Sequence, residues 1–124
     1  MGKTEDSSIM VIGADSHFCY LLRRYVKKSE RKIVFSYSGE DALALAQREM
    51  PAAIILEVDQ PNGWSILRVL KENPVTCKIP IILCGWLDEE KRGIEAGAQK
   101  YLRKPILFED YFEALKAVHV ISDL

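Results

Sequence analysis

The sequence predicts an α/β domain built on a doubly wound, five-stranded parallel sheet covered by five helices. Short apolar runs alternate along the chain with stretches whose apolar residues recur at helical spacing. Two of the runs, AAIILE and IPIILC, are apolar without alternation, which is typical of strands buried on both faces. Strands that alternate with helices join through right-handed crossovers, and such connections produce a parallel sheet.

The first half of the chain contains three predicted strands and two predicted helices. The strands are SIMVIG, KIVFSY and AAIILE. The helix SHFCYLLRRYVKK carries one apolar face, and either Asp15 or Ser16 can serve as its N-cap. The second helix, GEDALALAQREM, opens with a capping-box-like pair of Ser38 and Asp41 and ends before Pro51.

The second half contains the other two strands and three helices. GWSILRVLKEN is a short helix that ends before Pro74, and IPIILC is the fourth strand. DEEKRGIEA predicts a weak helix because Gly93 costs about 1 kcal/mol relative to alanine, and Gly97 suits the C-terminal cap. KYLRKP is a brief fifth strand. The apolar stripe of a closing helix consists of Phe108, Tyr111, Phe112, Leu115 and Val118.

Length and composition indicate a single globular domain. The chain has 124 residues, of which 48% are apolar and 28% charged. Seventeen basic and 18 acidic residues give a net charge of −1, so bulk charge offers no reason to expect nucleic-acid binding. The densest basic patch, Arg23-Arg24 with Lys27-Lys28, is interpreted as the solvated face of a helix.

The chain has no apolar run of membrane-spanning length, and we expect no association with a membrane. Residues 1–7 are predicted to be a disordered or polar lead-in, which lacks the apolar core of a signal peptide, and residues 8–124 are predicted to be the domain. Cys19, Cys77 and Cys84 are an odd number without C-x-x-C spacing, which fits a reducing, cytoplasmic location.

Three segments, GEDALALAQREMPAAIILE, PIILC and above all EAGAQKYLRKPI, resemble a known family. They resemble the receiver domain of two-component response regulators, which has the flavodoxin-like fold of the chemotaxis regulator CheY. The resemblance runs from about Ser8 to the C-terminus. It implies phosphorelay signalling, with a histidine kinase or an output domain as partner.

The resemblance also implies a site at the carboxyl ends of the strands. In the family, an acidic pair after the first strand and an Asp after the third hold Mg²⁺, and that Asp accepts a phosphoryl group. A Ser or Thr after the fourth strand and a Lys after the fifth contact the phosphoryl oxygens. A divalent cation, an ammonium and a hydroxyl are the groups that stabilise charge on a transferring phosphoryl group.

Most of these groups are replaced in this sequence. The acidic pair falls on Gly13 and Ala14, which have no side-chain oxygen, and the residual acid beside them, Asp15, is interpreted as a helix cap. Glu57 occupies the acceptor position, and its side chain is one methylene longer than that of the Asp found there in the family. A misplacement of a reacting group by about 1 Å can cost roughly 10²-fold in rate. The hydroxyl position is Cys84, a poor hydrogen-bond donor.

One site residue is retained, Lys104, with Pro105 behind it. Tyr101 matches the aromatic residue that turns inward on activation. Two segments, EVDQPNG and residues 84–97, are shorter than is usual in the family. The sequence therefore predicts a degenerate receiver without normal Asp phosphorylation, not an enzyme, and with no metal or cofactor. We expect partners, or a second copy in a homodimer, on the Gly85–Leu115 face.

Several side chains have two interpretations. Glu57 with Lys104 is either a pre-formed ion pair that imitates the phosphorylated state or a structural salt bridge. Asp59 is either a displaced acceptor or a residue that hydrogen-bonds within its own turn. Trp64 and Trp86 either fill space left by metal and phosphate or mark a binding patch.

Two alternative functions also stay open. The domain could still accept a phosphoryl group weakly from a histidine kinase, at Glu57 or at a shifted acid. It could instead be a small-molecule or redox sensor that uses the emptied pocket around Cys84, Trp86 and Lys104, since a nearby cation lowers the pKa of a thiol.

Overall fold

The structure, a computed structural model, describes residues 8–120; the predicted lead-in at residues 1–7 and residues 121–124 lie outside the described residues. The strands are β1 (Ser8–Ile12), β2 (Lys32–Ser36), β3 (Ala53–Glu57), β4 (Ile81–Gly85) and β5 (Lys100–Arg103). The helices are α1 (Ser16–Lys28), α2 (Ala42–Glu49), α3 (Gly63–Glu72), α4 (Glu90–Glu95) and α5 (Phe108–Ala117).

The strands form one parallel sheet in the order β2-β1-β3-β4-β5. The predicted fold class is therefore confirmed. The direction of winding reverses between β1 and β3, so the loops that follow these strands leave towards opposite faces of the sheet. In such sheets, ligands and chemistry lie in the crevice at this switch point.

Each face of the sheet is covered by its own helices. Ile9 and Val11 of β1 point towards α1 and α5, and they pack there with residues such as Leu22 and Leu115. The alternate residues of the strands, Met10 among them, pack in a second cluster with α2 and α3. β1, β3 and β4 are buried along their whole length. This burial explains why their sequences show no alternation of apolar and polar residues.

The helix-end signals were partly correct. Asp15 caps α1, since its carboxylate accepts a hydrogen bond of 2.9 Å from the His17 amide. The capping box predicted for α2 was wrong. The Asp41 carboxylate instead accepts a 2.6 Å hydrogen bond from the Ser36 hydroxyl at the end of β2, and Ser38 accepts one from the Glu40 amide.

The second half of the chain follows the predicted order of elements. The weak helix α4 is six residues long, and Gly97 follows it with a φ of +108°. In α5, Tyr111 and Leu115 are buried as the predicted stripe requires, and the helix ends at Ala117. Within residues 8–120, no helix combines the length and apolar character needed to cross a bilayer.

Candidate functional site

The polar residues at the carboxyl ends of the strands surround one cleft, which we call the Glu57 cleft. Its volume is about 290 Å³. It is lined by Ala14, Asp15, Glu57, Asp59, Gln60, Trp86 and Lys104. The loops after β1, β3, β4 and β5 all contribute to it, because parallel strands end at the same edge of the sheet.

Glu57, the last residue of β3, has a buried carboxylate whose two oxygens both accept hydrogen bonds. Glu57 is 2% exposed. Oε1 accepts from the backbone amides of Ala14 at 2.9 Å and Asp15 at 3.3 Å. Oε2 accepts from the Lys104 ammonium. Such partners compensate for the removal of the carboxylate from water.

Phe18 of α1 occupies the space beside Glu57 in which an acidic side chain at position 13 would lie. A Cβ atom on Gly13 would stand 2.8 Å from Phe18 Cδ2 and 3.1 Å from Glu57 Oε1. Position 13 therefore has to be glycine while Phe18 keeps this rotamer. Sequence reasoning counted Phe18 only as part of an apolar helix face, and no signal in the sequence linked it to the site.

The ammonium of Lys104 is held by two carboxylates and two aromatic rings. Besides Glu57, its Nζ lies 3.2 Å from Asp59 Oδ2. It also lies 4.9 Å from the ring centroid of Phe18 and 5.7 Å from that of Trp86. Burial alone would lower the pKa of Lys104, but the hydrogen bonds and charges of the two carboxylates outweigh it and raise the pKa above its usual value. The lysine is therefore charged at neutral pH.

Asp59 connects two loops across the cleft instead of hydrogen-bonding within its own turn. Its carboxylate accepts from the Trp86 amide at 3.2 Å, in addition to its ion pair with Lys104. The turn interpretation of Asp59 was therefore wrong. The ammonium of Lys104, which follows the edge strand β5, attracts the Asp59 carboxylate into the cleft.

Gln60 is a site residue that sequence reasoning missed. Its Nε2 donates to the carbonyl of Ile12 at 3.1 Å and to that of Glu57 at 2.9 Å. The side chain is 7% exposed and joins the ends of β1 and β3 at the switch point. It therefore helps to hold Glu57 opposite the amides that bind its carboxylate.

Cys84 and Tyr101 flank the site from β4 and β5. Burial raises the pKa of the Cys84 thiol well above its usual value, and the residue is 0% exposed. This environment opposes the thiolate on which a redox role would depend. Tyr101 is 8% exposed and turned inward, with its hydroxyl donating to the Leu87 carbonyl at 2.6 Å.

Gly85 provides the room for this orientation of Tyr101. A Cβ atom at position 85 would lie 2.5 Å from the tyrosine hydroxyl oxygen. Gly85, which follows Cys84, therefore leaves space for the Tyr101 ring to point inward.

The two tryptophans lie in different places. Trp64 packs partly buried against the core cluster under α3, and the guanidinium carbon of Arg92 lies 3.9 Å from its ring centroid. Trp64 does not line the Glu57 cleft, so the interpretation that it fills the space left by metal and phosphate was wrong. Trp86 is 54% exposed and covers Lys104. Pro105 is exposed beside it, in an adjoining apolar depression.

The site does not fit the Mg²⁺ ion that the resemblance implies. Magnesium requires oxygen ligands, but Ala14 presents a backbone N–H to the cleft, which is a donor. The oxygens of Glu57 are already engaged by amides and an ammonium. Within residues 8–120, no group of three His, Cys, Asp or Glu side chains is arranged to hold a metal ion.

Fold and site together define the class of protein. Residues 9–116 match the response regulator receiver domain, and the chain belongs to that family. The resemblance read from the sequence is therefore confirmed. A receiver domain is the signal-receiving module of a two-component system, so a signalling protein is the kind of partner that family membership implies.

Individual relatives agree with this assignment. Protein PilH of Pseudomonas aeruginosa is 28% identical over 115 residues, which cover 89% of this chain and 95% of PilH. Response regulator PleD of Caulobacter vibrioides is 41% identical over 73 residues, which cover 55% of this chain but 16% of PleD. The chain thus spans a small part of that relative.

The solved structure of the chemotaxis protein CheY4 of Vibrio cholerae has the same fold. It superimposes with a TM-score of 0.83 at 19% identity, over 91% of this chain and 98% of CheY4. The predicted CheY-like arrangement is therefore confirmed.

Proposed function

We propose that this receiver domain works without aspartyl phosphorylation, as a non-catalytic protein-interaction module. The observation that carries the proposal is the full engagement of the Glu57 carboxylate by two backbone amides and Lys104. A carboxylate whose oxygens are all hydrogen-bonded is a poor nucleophile, and no acidic pair is present to bring a cation to the phosphoryl donor.

In this proposal the ion pair between Glu57 and Lys104 holds the domain permanently in its signalling form. The inward Tyr101 supports this version, because the resemblance associates that orientation with activation. The imitation of a phosphoryl group is partial, since one negative charge stands where an aspartyl phosphate would carry about two.

The proposed partners are a histidine kinase or an output domain, and the proposed surface is the face from Gly85 to Leu115, which could also pair two copies of the chain. Trp86 and Leu87 are 54% and 65% exposed at the start of this face, which supports such contacts. We propose a cytoplasmic location, which the three free cysteines favour.

The test is a phosphorylation assay in which the chain is incubated with acetyl phosphate and Mg²⁺ and its intact mass is measured. A receiver domain with a complete acidic site, labelled in parallel, is the positive control. We expect no mass increase for this chain. A stable adduct of one phosphoryl group would overturn the proposal.

A second candidate function, weak phosphorylation at Asp59, is favoured by one observation. The side chain of Asp59 is 31% exposed at the mouth of the cleft, and its Oδ2 lies 3.2 Å from the Lys104 ammonium. An adduct that disappears in Asp59→Asn but persists in Glu57→Gln would identify this route. An adduct lost only in Glu57→Gln would assign acceptance to Glu57 instead.

A further inference from the structure

Helix α1 has a net positive charge, whereas the rest of the chain has a net negative charge. Ser16–Lys28 contains four of the 17 basic residues and none of the 18 acidic residues. The helix therefore carries +4 in a chain of net charge −1, which leaves −5 for the other residues. Sequence reasoning interpreted these cations as an ordinary solvated face, but their contacts differ from those of the exposed arginines on the other helices.

Aromatic side chains hold the two arginines of α1 in place. The Arg23 guanidinium lies 4.6 Å from the Phe35 ring centroid and donates to the Tyr37 hydroxyl at 3.1 Å. Arg24 lies 5.9 Å from the Tyr20 ring and donates to the Tyr20 hydroxyl at 3.3 Å. Rings order a guanidinium without neutralising its charge.

One of the two lysines of α1 also lies over an aromatic ring. The Lys28 ammonium lies 4.2 Å from the ring centroid of Phe108 in α5. Among residues 8–120, no carboxylate oxygen lies within 4.0 Å of a cation of Arg23, Arg24, Lys27 or Lys28. The exposed arginines of the other helices differ, since Arg48, Arg68 and Arg92 each have a glutamate partner.

These cations and two exposed tyrosines form one surface, the α1 basic face. It consists of Tyr20, Arg23, Arg24, Lys27, Lys28 and Tyr37. Tyr20 and Tyr37 are 61% and 56% exposed. From Tyr20 to Lys28 the helix rises about 12 Å, since each residue adds about 1.5 Å. A depression of about 640 Å³ opens along this stretch.

We propose that the α1 basic face binds a short acidic segment of a partner protein, one with clustered carboxylates and an apolar side chain that packs on Tyr20. Each tyrosine hydroxyl accepts from an arginine and keeps its proton, which it can donate to a carboxylate. Charge complementarity of this kind guides encounter and selects the partner.

The length and charge of the face favour an acidic segment over a long polyanion. A nucleic acid or an anionic membrane extends well beyond a patch about 12 Å long. Beyond the patch it would meet the remainder of the chain, which carries −5. The face lies outside the Glu57 cleft and uses none of its lining residues, so this inference goes beyond the proposed function and does not depend on phosphorylation.

Fluorescence anisotropy with a labelled peptide of six glutamates and one tryptophan tests the inference. The control peptide replaces each glutamate by glutamine. We expect saturable binding of the acidic peptide alone, weakened by added salt, and reduced at least about fivefold in Arg23→Gln/Arg24→Gln. The matched control Arg48→Gln/Arg68→Gln removes two exposed arginines that already have glutamate partners, and we expect a change of less than about twofold.

Two further measurements make the result specific. Tyr20→Ala should weaken the acidic peptide that contains tryptophan more than one with alanine in its place, because the ring is the proposed apolar contact. Lys27→Gln/Lys28→Gln repeats the charge test should the arginine variant fail to fold. A duplex DNA and vesicles rich in phosphatidylserine serve as competing probes.

The inference is overturned if the acidic peptide does not bind, or if both pairs of arginine substitutions weaken it equally. Tighter binding of the duplex or the vesicles than of the peptide would also overturn it, in favour of a polyanion surface.

Discussion

Glu57 and Lys104 form a buried ion pair that bridges the end of β3 and the residue after β5, with β4 between them. The two residues are 2% and 8% exposed. Each is also held by groups that the other does not contact: two backbone amides bind Glu57, and Asp59 with two aromatic rings surrounds Lys104. The pair thus ties three loops at the carboxyl edge of the sheet to one another.

Lys104→Met should be strongly destabilising. The substitution keeps most of the side-chain volume but leaves Glu57 as a buried carboxylate without a cation. Removing one partner of a buried pair typically costs about 3–5 kcal/mol. We expect a loss of this size in the free energy of unfolding measured by urea denaturation. The double variant Glu57→Gln/Lys104→Met should recover a large part of it; equal stability of the single and double variants would contradict a direct pair.

The contribution of Lys104 should disappear only in alkali. Its pKa in the folded chain is raised above the usual 10.5, so the charged lysine contributes stability that is fully present below the usual pKa. That contribution is lost as the pH rises through the raised pKa. We expect the stability difference between the native chain and Lys104→Met to be constant from about pH 7 to about pH 9 and to shrink at higher pH. A difference that falls within the neutral range would be inconsistent with this pKa.

Gly13→Ala should be destabilising through Phe18. The new Cβ atom would stand 2.8 Å from the phenylalanine ring, and overpacking of this kind typically costs about 1–3 kcal/mol. Phe18→Leu in the same chain should relieve the clash, so a double-mutant cycle should give a favourable coupling energy. Strictly additive effects would mean that the two positions do not meet. Ala14→Ser, whose backbone amide remains, is the control.

Thiol labelling should distinguish the cysteines. Burial raises the pKa of Cys84 and hides its sulfur, whereas Cys77 is partly exposed. With a disulfide reagent at neutral pH, we expect Cys77 to react in the native chain and Cys84 to react only after unfolding. Peptide mass mapping identifies the modified position, and Cys77→Ser provides the control. Rapid labelling of Cys84 in the folded chain would revive the redox interpretation.

The sequence predicted the strands and helices well because strands buried on both faces, namely β1, β3 and β4, are continuous apolar runs in the sequence. It also located Glu57, Cys84 and Lys104 at strand ends, since the ends of apolar runs can be recognised locally, whereas Tyr101 was identified only through the family resemblance. Contacts between distant segments have no such local pattern in the sequence. The sequence could not show that Asp59 bonds to Lys104 and the Trp86 amide, because those partners are 45 and 27 positions away along the chain.

The same limit applies to Trp64 and Phe18. Both are aromatic residues at the start of a helix, and only the rotation of each helix about its axis decides which ring lies beside the ion pair of Glu57 and Lys104. A glycine at position 13 could have suggested a close neighbour, but the identity of that neighbour depends on packing between β1 and α1.

The contact between Gly13 and Phe18 also couples the two positions. An acidic side chain at position 13 alone would collide with the ring, and a smaller residue at position 18 alone would leave a hole beside Glu57. Each change is therefore expected to be harmful unless the other accompanies it. A carboxylate introduced next to Glu57 has to be designed as a pair of substitutions, with the ring at position 18 removed in the same step.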